Sequence, residues 1–159
     1  MNSTYILLNN LRTFFAVNSL RALSKKLNIS SNVILNWSSG RSSPNIKTLN
    51  YIAYFIGVDV CQLLIPNNNL NIDTPIWKDT LYKDLTRNMG RLKNEHDIHE
   101  SSFYNQFPNQ EIMSYRSFLK YVNGQYKRLN LKTLDILAQI LAVQSFELLE
   151  SESYHEKKD

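Results

Sequence analysis

Apolar residues recur at intervals of three and four along most of the chain, the spacing that gathers side chains on one face of an α-helix. Over residues 4–16, Tyr5, Leu8, Leu11 and Phe15 fall near one face. Leu20, Leu23 and Leu27 repeat the interval in a short second helix, with Ser19 placed to cap it and the small Ser24 where a neighbouring helix can approach closely. Ser30 is positioned to cap a third helix that Gly40 ends. Residues 46–56 predict a fourth, with Leu49, Ile52, Ala53 and Ile56 inward, and "VDVCQLL" closes with a short fifth. Further on, a helix over 76–95 would align Trp77, Leu81, Leu85, Met89 and Leu92. Only four Gly and four Pro interrupt 159 residues, which suits helices with short connections better than a β-sandwich. The expected fold class is all-α.

The pattern also repeats. "IKTLNYIAYFIGVDVCQLL" (46–64) aligns with "LKTLDILAQILAVQSFELL" (131–149) with seven identities in 19 positions, and "ILNWSSG" (34–40) lies over "FLKYVNG" (118–124). The shared Lys-Thr-Leu, the Gly and the closing Leu-Leu favour duplication over a chance echo of amphipathic helices. Between the copies, "PNNNLNIDTP" has the composition of a loop, and Pro75 suits the first turn of a new helix. The expected organisation is two small helical-bundle repeats, at 1–65 and 76–152, with a linker at 66–75 and a charged tail at 153–159.

Charge divides the chain unevenly. Residues 1–65 carry six Lys/Arg (Arg12, Arg21, Lys25, Lys26, Arg41, Lys47) against the single acid Asp59, whereas residues 66–150 carry ten of each sign. A basic first half suits a polyanionic partner. The stretch "SSNVILNWSSGRSSPN" (30–45) shows how contact could be made. On a helical wheel Val33, Ile34 and Trp37 group on one side, and Asn32, Leu35, Asn36 and Ser39 on the other. Short uncharged side chains suit base edges: Asn can bond adenine through two hydrogen bonds, and an aliphatic group can meet a thymine methyl. "SSGRSSP" then offers Arg41, hydroxyls and backbone amides to phosphates. The same residues also fit an ordinary solvated helix face.

Taken together, "LRALSKKLNISSNVILNWSSGRSSPNIKTLNYIAYFIGVDVCQLL" resembles the helix-turn-helix of the phage-repressor/Cro (xenobiotic-response-element) family. The resemblance is carried by Ser24, the "LNIS" turn, Ile34, Trp37, Gly40, Pro44 and "IGV…LL", in that order. It implies that the second helix braces across the DNA backbone while the third enters the major groove. Base readout would fall to Ser31, Asn32, Val33 and Asn36, joined by Leu35 on the outward side of the wheel, and phosphate contact to Ser39, Arg41 and Ser42. Ser38 departs from the family pattern, which commonly has Glu near the end of the third helix.

In the second repeat the same wheel turns Ser117, Phe118 and Tyr121 inward and Arg116, Leu119, Lys120 and Asn123 outward. No acid occurs between Ile112 and Leu134. Arg116, Lys120, Asn123, Lys127 and Arg128 form a second candidate DNA surface, suited to guanine or phosphate. The motif is damaged, however. Direct alignment puts Phe107 and Pro108 inside its second helix, where proline costs about 3 kcal/mol or more. That helix is therefore expected to end near Phe107. A competing register runs one helix over 109–123 and buries Leu119, which would suit dimerisation instead.

No catalytic, phosphate-loop or dinucleotide pattern stands out, so no enzyme activity and no cofactor is expected. His96, His99 and Glu100 lack the fourth group of the usual zinc sets. Cys61, the one cysteine, reads as a small core residue rather than a nucleophile, and it permits no internal disulfide. With no signal pattern and no long apolar run, a cytoplasmic protein without membrane contact is expected. The expected partners are double-stranded DNA and a second copy in a homodimer, although one chain could mimic a dimer with its two repeats. The function implied is a transcriptional regulator that represses by occluding a promoter. The rival is a protein-binding module, a regulator or phage-encoded inhibitor, acting through residues 76–152.

Overall fold

A computed structural model describes residues 2–73, 77–108 and 112–151. Regular structure among them is helical: α1 (Ser3–Phe15), α2 (Leu20–Leu27), α3 (Ser31–Ser39), α4 (Ile46–Ile56), a 3₁₀ helix (Val60–Leu64), α5 (Leu81–Glu95), α6 (Glu100–Gln106), α7 (Tyr115–Val122), α8 (Leu131–Ile140) and a second 3₁₀ helix (Ser145–Leu149). The chain is all-α, and no helix among the described residues is long and apolar enough to cross a membrane.

Local chemistry sets the boundaries. Side chains of Asn2, Ser19, Asn45, Ser114 and Asn130 each accept a hydrogen bond from the backbone N–H three residues on, satisfying donors that the first helical turn leaves open. Ser30 stands at the start of α3 but makes no such bond, so the expected cap there is positional only. At the other ends, α2 turns through Asn28 and α3 through Gly40, both left-handed at φ 54° and 78°.

Tertiary packing moved two expected faces. Tyr5 is 69% exposed, and Ile6 and Leu7 are buried beside Leu8 and Leu11. The reason is that α1 packs against α2, α3, the first 3₁₀ helix and α8 of the other half, so its buried arc is centred away from Tyr5. Trp77 precedes its helix rather than joining it. α5 begins at Leu81 and buries Leu81, Leu85, Met89 and Leu92, whereas Trp77 stays 39% exposed with its ring edge-on to Tyr54. The expected helix start at Pro75 lies outside the described residues, as does the charged tail.

The two halves run through the same order of elements and share hydrogen bonds of the same kind. Buried Asn10 of α1 donates to the Leu63 and Ile65 carbonyls at 3.0 and 2.9 Å; buried Asn88 of α5 donates to those of Leu148 and Glu150 at 2.9 and 2.8 Å. Each Asn thus fastens a long helix to the 3₁₀ helix that closes its half, giving its buried amide N–H groups backbone partners. The halves are also packed together. The two 3₁₀ helices touch, α1 packs on α8, and the buried apolar side chains of both halves form one continuous core. Asp135 of α8 accepts from the Ser3 N–H at 2.9 Å and from the hydroxyls of Ser3 and Ser145, tying the start of α1 to the opposite half.

Candidate nucleic-acid interface

α3 is short, and two residues hold it. Ile34 is fully buried and Trp37 nearly so, packed where α3 meets α1 and α2; Leu23, Ser24 and Leu27 are buried on α2. The small Ser24 allows this approach, and its hydroxyl is turned back onto the Arg21 carbonyl at 2.7 Å. Asn28, Ile29 and Ser30 make the turn between α2 and α3. Asn tolerates the left-handed conformation needed at Asn28 better than most residues, because its short polar side chain can hydrogen-bond to the nearby backbone.

Val33 does not join the anchor as the wheel predicted. It is 38% exposed, and Leu35 is 51% exposed. At 100° per residue Val33 lies roughly 70° from the midpoint of Ile34 and Trp37, beyond the arc that two flanking helices can cover. Ser31, Asn32, Val33 and Leu35 therefore share the solvent-facing side of α3, with Ser39, Arg41 and Ser42 exposed just beyond it. Asn36 is half-buried. Its carbonyl accepts from the Ser42 N–H and the Ser39 hydroxyl, both at 3.2 Å, so the following loop folds over this residue. All eight first-half candidates lie along one helix and its exit.

The second half differs where its second and third helices join. α6 ends at Gln106, ahead of Pro108, because the residue before a proline is pushed out of the helical region; Phe107 sits at φ −127°, ψ 67°. Eight residues, 107–114, separate α6 from α7, against three between α2 and α3. α7 starts at Tyr115 with Ser114 as its cap, and residues 112–114 are not helical, so the longer helix of the competing register does not form; residues 109–111 lie outside the description. Phe118 is fully buried against Phe103, at 5.6 Å between ring centroids, and Tyr115 completes the cluster. Ser117 and Tyr121, expected inward, are only half-buried; Val122 supplies the second buried position.

Of the second candidate surface, Arg116, Asn123, Lys127 and Arg128 are exposed. Lys120 is half-buried, its ammonium 5.6 Å from the Tyr126 ring centroid in a cation–π contact. Leu119 is half-buried as well.

A feature between the surfaces escaped the sequence pattern. Asn45 and Asn130, the caps of α4 and α8, form an antiparallel bridge in which Ile46 N–H donates to the Leu129 carbonyl at 2.8 Å and Leu131 N–H to the Pro44 carbonyl at 2.9 Å. Lys132 N–H also donates to the Ser43 hydroxyl at 3.3 Å. Lys47 and Lys132, one residue inside each helix, are exposed near this junction. The available signal was an Asn immediately before each copy of the repeated block.

Two other candidates have structural occupations. His99 caps α6, its Nδ1 accepting from the Ser102 N–H at 3.4 Å. Burial pushes the Cys61 thiol well above its ordinary range, with the Asp59 carboxylate adding to the effect, so Cys61 is not a ready thiolate. Asp59 itself is opposed by burial, yet the ion pair to Lys78 at 3.2 Å and the Cys61 N–H hold its carboxyl below the usual value.

No protein-family model matches this chain, and no curated protein or solved structure is similar to it.

Proposed function

We propose that the chain is a sequence-specific regulator of transcription that binds double-stranded DNA through a helix-turn-helix of the phage-repressor/Cro type, duplicated in tandem, and that represses by covering a promoter. One observation carries the reading: α3 is clamped by Ile34 and Trp37 while Ser31, Asn32, Val33 and Leu35 project from it, with Arg41 at its exit. Two exposed aliphatics beside the exposed Asn32 amide and exposed hydroxyls match the mixture of methyl groups and hydrogen-bonding edges in a major groove, with Asn36 half-buried next to them. Arg41, Ser39 and Ser42 fit the phosphates that set the register. Selection of bound fragments from random duplex DNA, followed by affinity measurement at several salt concentrations, tests it. Asn36→Ala should change base preference. Arg41→Ala should weaken all duplexes alike and reduce the logarithmic salt slope by about 0.9. If neither substitution alters binding, α3 is not the reading element.

A protein-binding role has its own support in exposed aromatics: Tyr51 stacked on Phe55 at 5.9 Å, and Tyr54 edge-on to Trp77 at 6.1 Å. If this patch rather than α3 is the working surface, Tyr54→Ala should abolish function in cells while duplex binding in vitro is unchanged.

A further inference from the structure

We infer that one copy of the chain covers an entire operator, and that this operator is an asymmetric duplex with two unlike half-sites; the inference rests on the DNA-binding reading of α3. It starts from the bridge between the halves. Adding 85 to Ile46 gives Leu131, and subtracting 85 from Leu129 gives Pro44, so the two hydrogen bonds exchange with each other under that interval. A pair of bonds that maps onto itself in this way has a local two-fold axis between its strands. The same interval relates Val60–Leu64 to Ser145–Leu149, the 3₁₀ helices that pack on each other. Like surface meeting like surface is the geometry of a two-fold dimer interface, formed here within a single chain.

α3 and α7 each lead by a short connection into one side of the bridge. Ser39 lies six positions before Asn45, and Asn123 lies seven positions before Asn130. Fully extended, these connections would reach at most roughly 20–25 Å each, an upper bound that does not forbid the 34–36 Å between half-sites one helical turn apart. Exposed Lys47 and Lys132 lie near the axis itself, where the phosphates between two half-sites would pass. The two reading faces are chemically unlike. At matching positions α3 carries Asn32, Leu35 and Asn36, and α7 carries Arg116, Leu119 and Lys120. Amides favour adenine and a basic side chain favours guanine, so the halves select different sequences. A dimer of identical chains cannot make such a pair of faces across its own axis.

The intact chain is the reagent for the test. Duplexes are selected from a random pool, the molar mass of the complex is measured by light scattering, and selection is repeated with Asn36→Ala and Arg116→Ala, two substitutions that leave the core untouched. The expected result is one 18.6-kDa chain per duplex and a non-palindromic motif. Each substitution should relax discrimination on the order of tenfold in one half-site only, a different half-site for each. Two chains on a palindromic motif would overturn the inference and leave the DNA-binding reading standing. So would a short motif that Arg116→Ala does not touch. Failure to enrich any duplex would remove both.

Discussion

α3 and α7 occupy matching places in the two halves, yet they are held by different means. α3 is joined to α2 by three residues and is anchored by an aliphatic and an indole side chain. α7 stands eight residues from α6 and is anchored by Phe118 within an aromatic cluster. A short turn fixes one helix against the next through chain connectivity, and the two side chains of Ile34 and Trp37 then suffice. A long connection leaves orientation to packing, and large rings supply the extra buried area. Pro108 is the physical origin of the difference, because it ends α6 and forces a longer route to α7. The outward faces diverged with the anchors, from amides and hydroxyls on α3 to basic groups on α7.

The comparison can be broken most severely at Phe118. Phe118→Ala should destabilise the protein by about 3–5 kcal/mol in urea denaturation, and it should cost more than Ile34→Ala, at about 2–4 kcal/mol. The reverse order would mean that the aromatic cluster is not what holds α7. The matched Asn residues give a finer test. Asn10 donates to two carbonyls and also accepts from the Asn68 N–H at 3.2 Å. Asn88 donates to two carbonyls, one of which, that of Glu150, also accepts from Arg87 at 3.2 Å. Asn10→Ala therefore strands more polar groups, and about 2–3 kcal/mol of lost stability is expected against about 1–2 kcal/mol for Asn88→Ala. Equal losses would show that the third bond contributes nothing measurable.

The smallest effect concerns pH. Asp59 is held below its ordinary value of 3.8, so its contribution is complete above that value and is lost as pH falls through the lower folded value. With 40% of the Asp59 side chain exposed, the pair with Lys78 should be worth less than about 1 kcal/mol. Lys78→Met should flatten the stability profile below about pH 4 and cost less than about 1 kcal/mol at pH 7. A loss at pH 7 larger than that bound would point to packing of the Lys78 stem instead.

Much of this arrangement was legible in the sequence. Ser19, Gly40 and the stripe of Leu49, Ile52, Ala53 and Ile56 mark helix starts, stops and faces by chemistry that acts within one or two turns. Pro108 predicted where α6 stops for the same reason. Tyr5 and Val33 were misplaced because their burial depends on how many neighbours each helix has, and Trp77 because α5 begins only at Leu81. A wheel drawn for one helix assumes a single broad buried face. α1 has partners on several sides, one of them in the other half, whereas α3 has few.

By itself the sequence determined the helical class, the recurrence of one pattern and the basic character of the first half, since periodicity, capping and charge are properties of neighbouring residues. Only the tertiary structure decided that the halves share one core and meet through equivalent residues. Asn45 and Asn130 are 85 residues apart, and no local rule selects which of the chain's many Asn residues will face each other. That pairing follows from the combined packing of α1 on α8 and of one 3₁₀ helix on the other, where burial of Leu63, Leu64, Leu148 and Leu149 outweighs any preference legible in a short window.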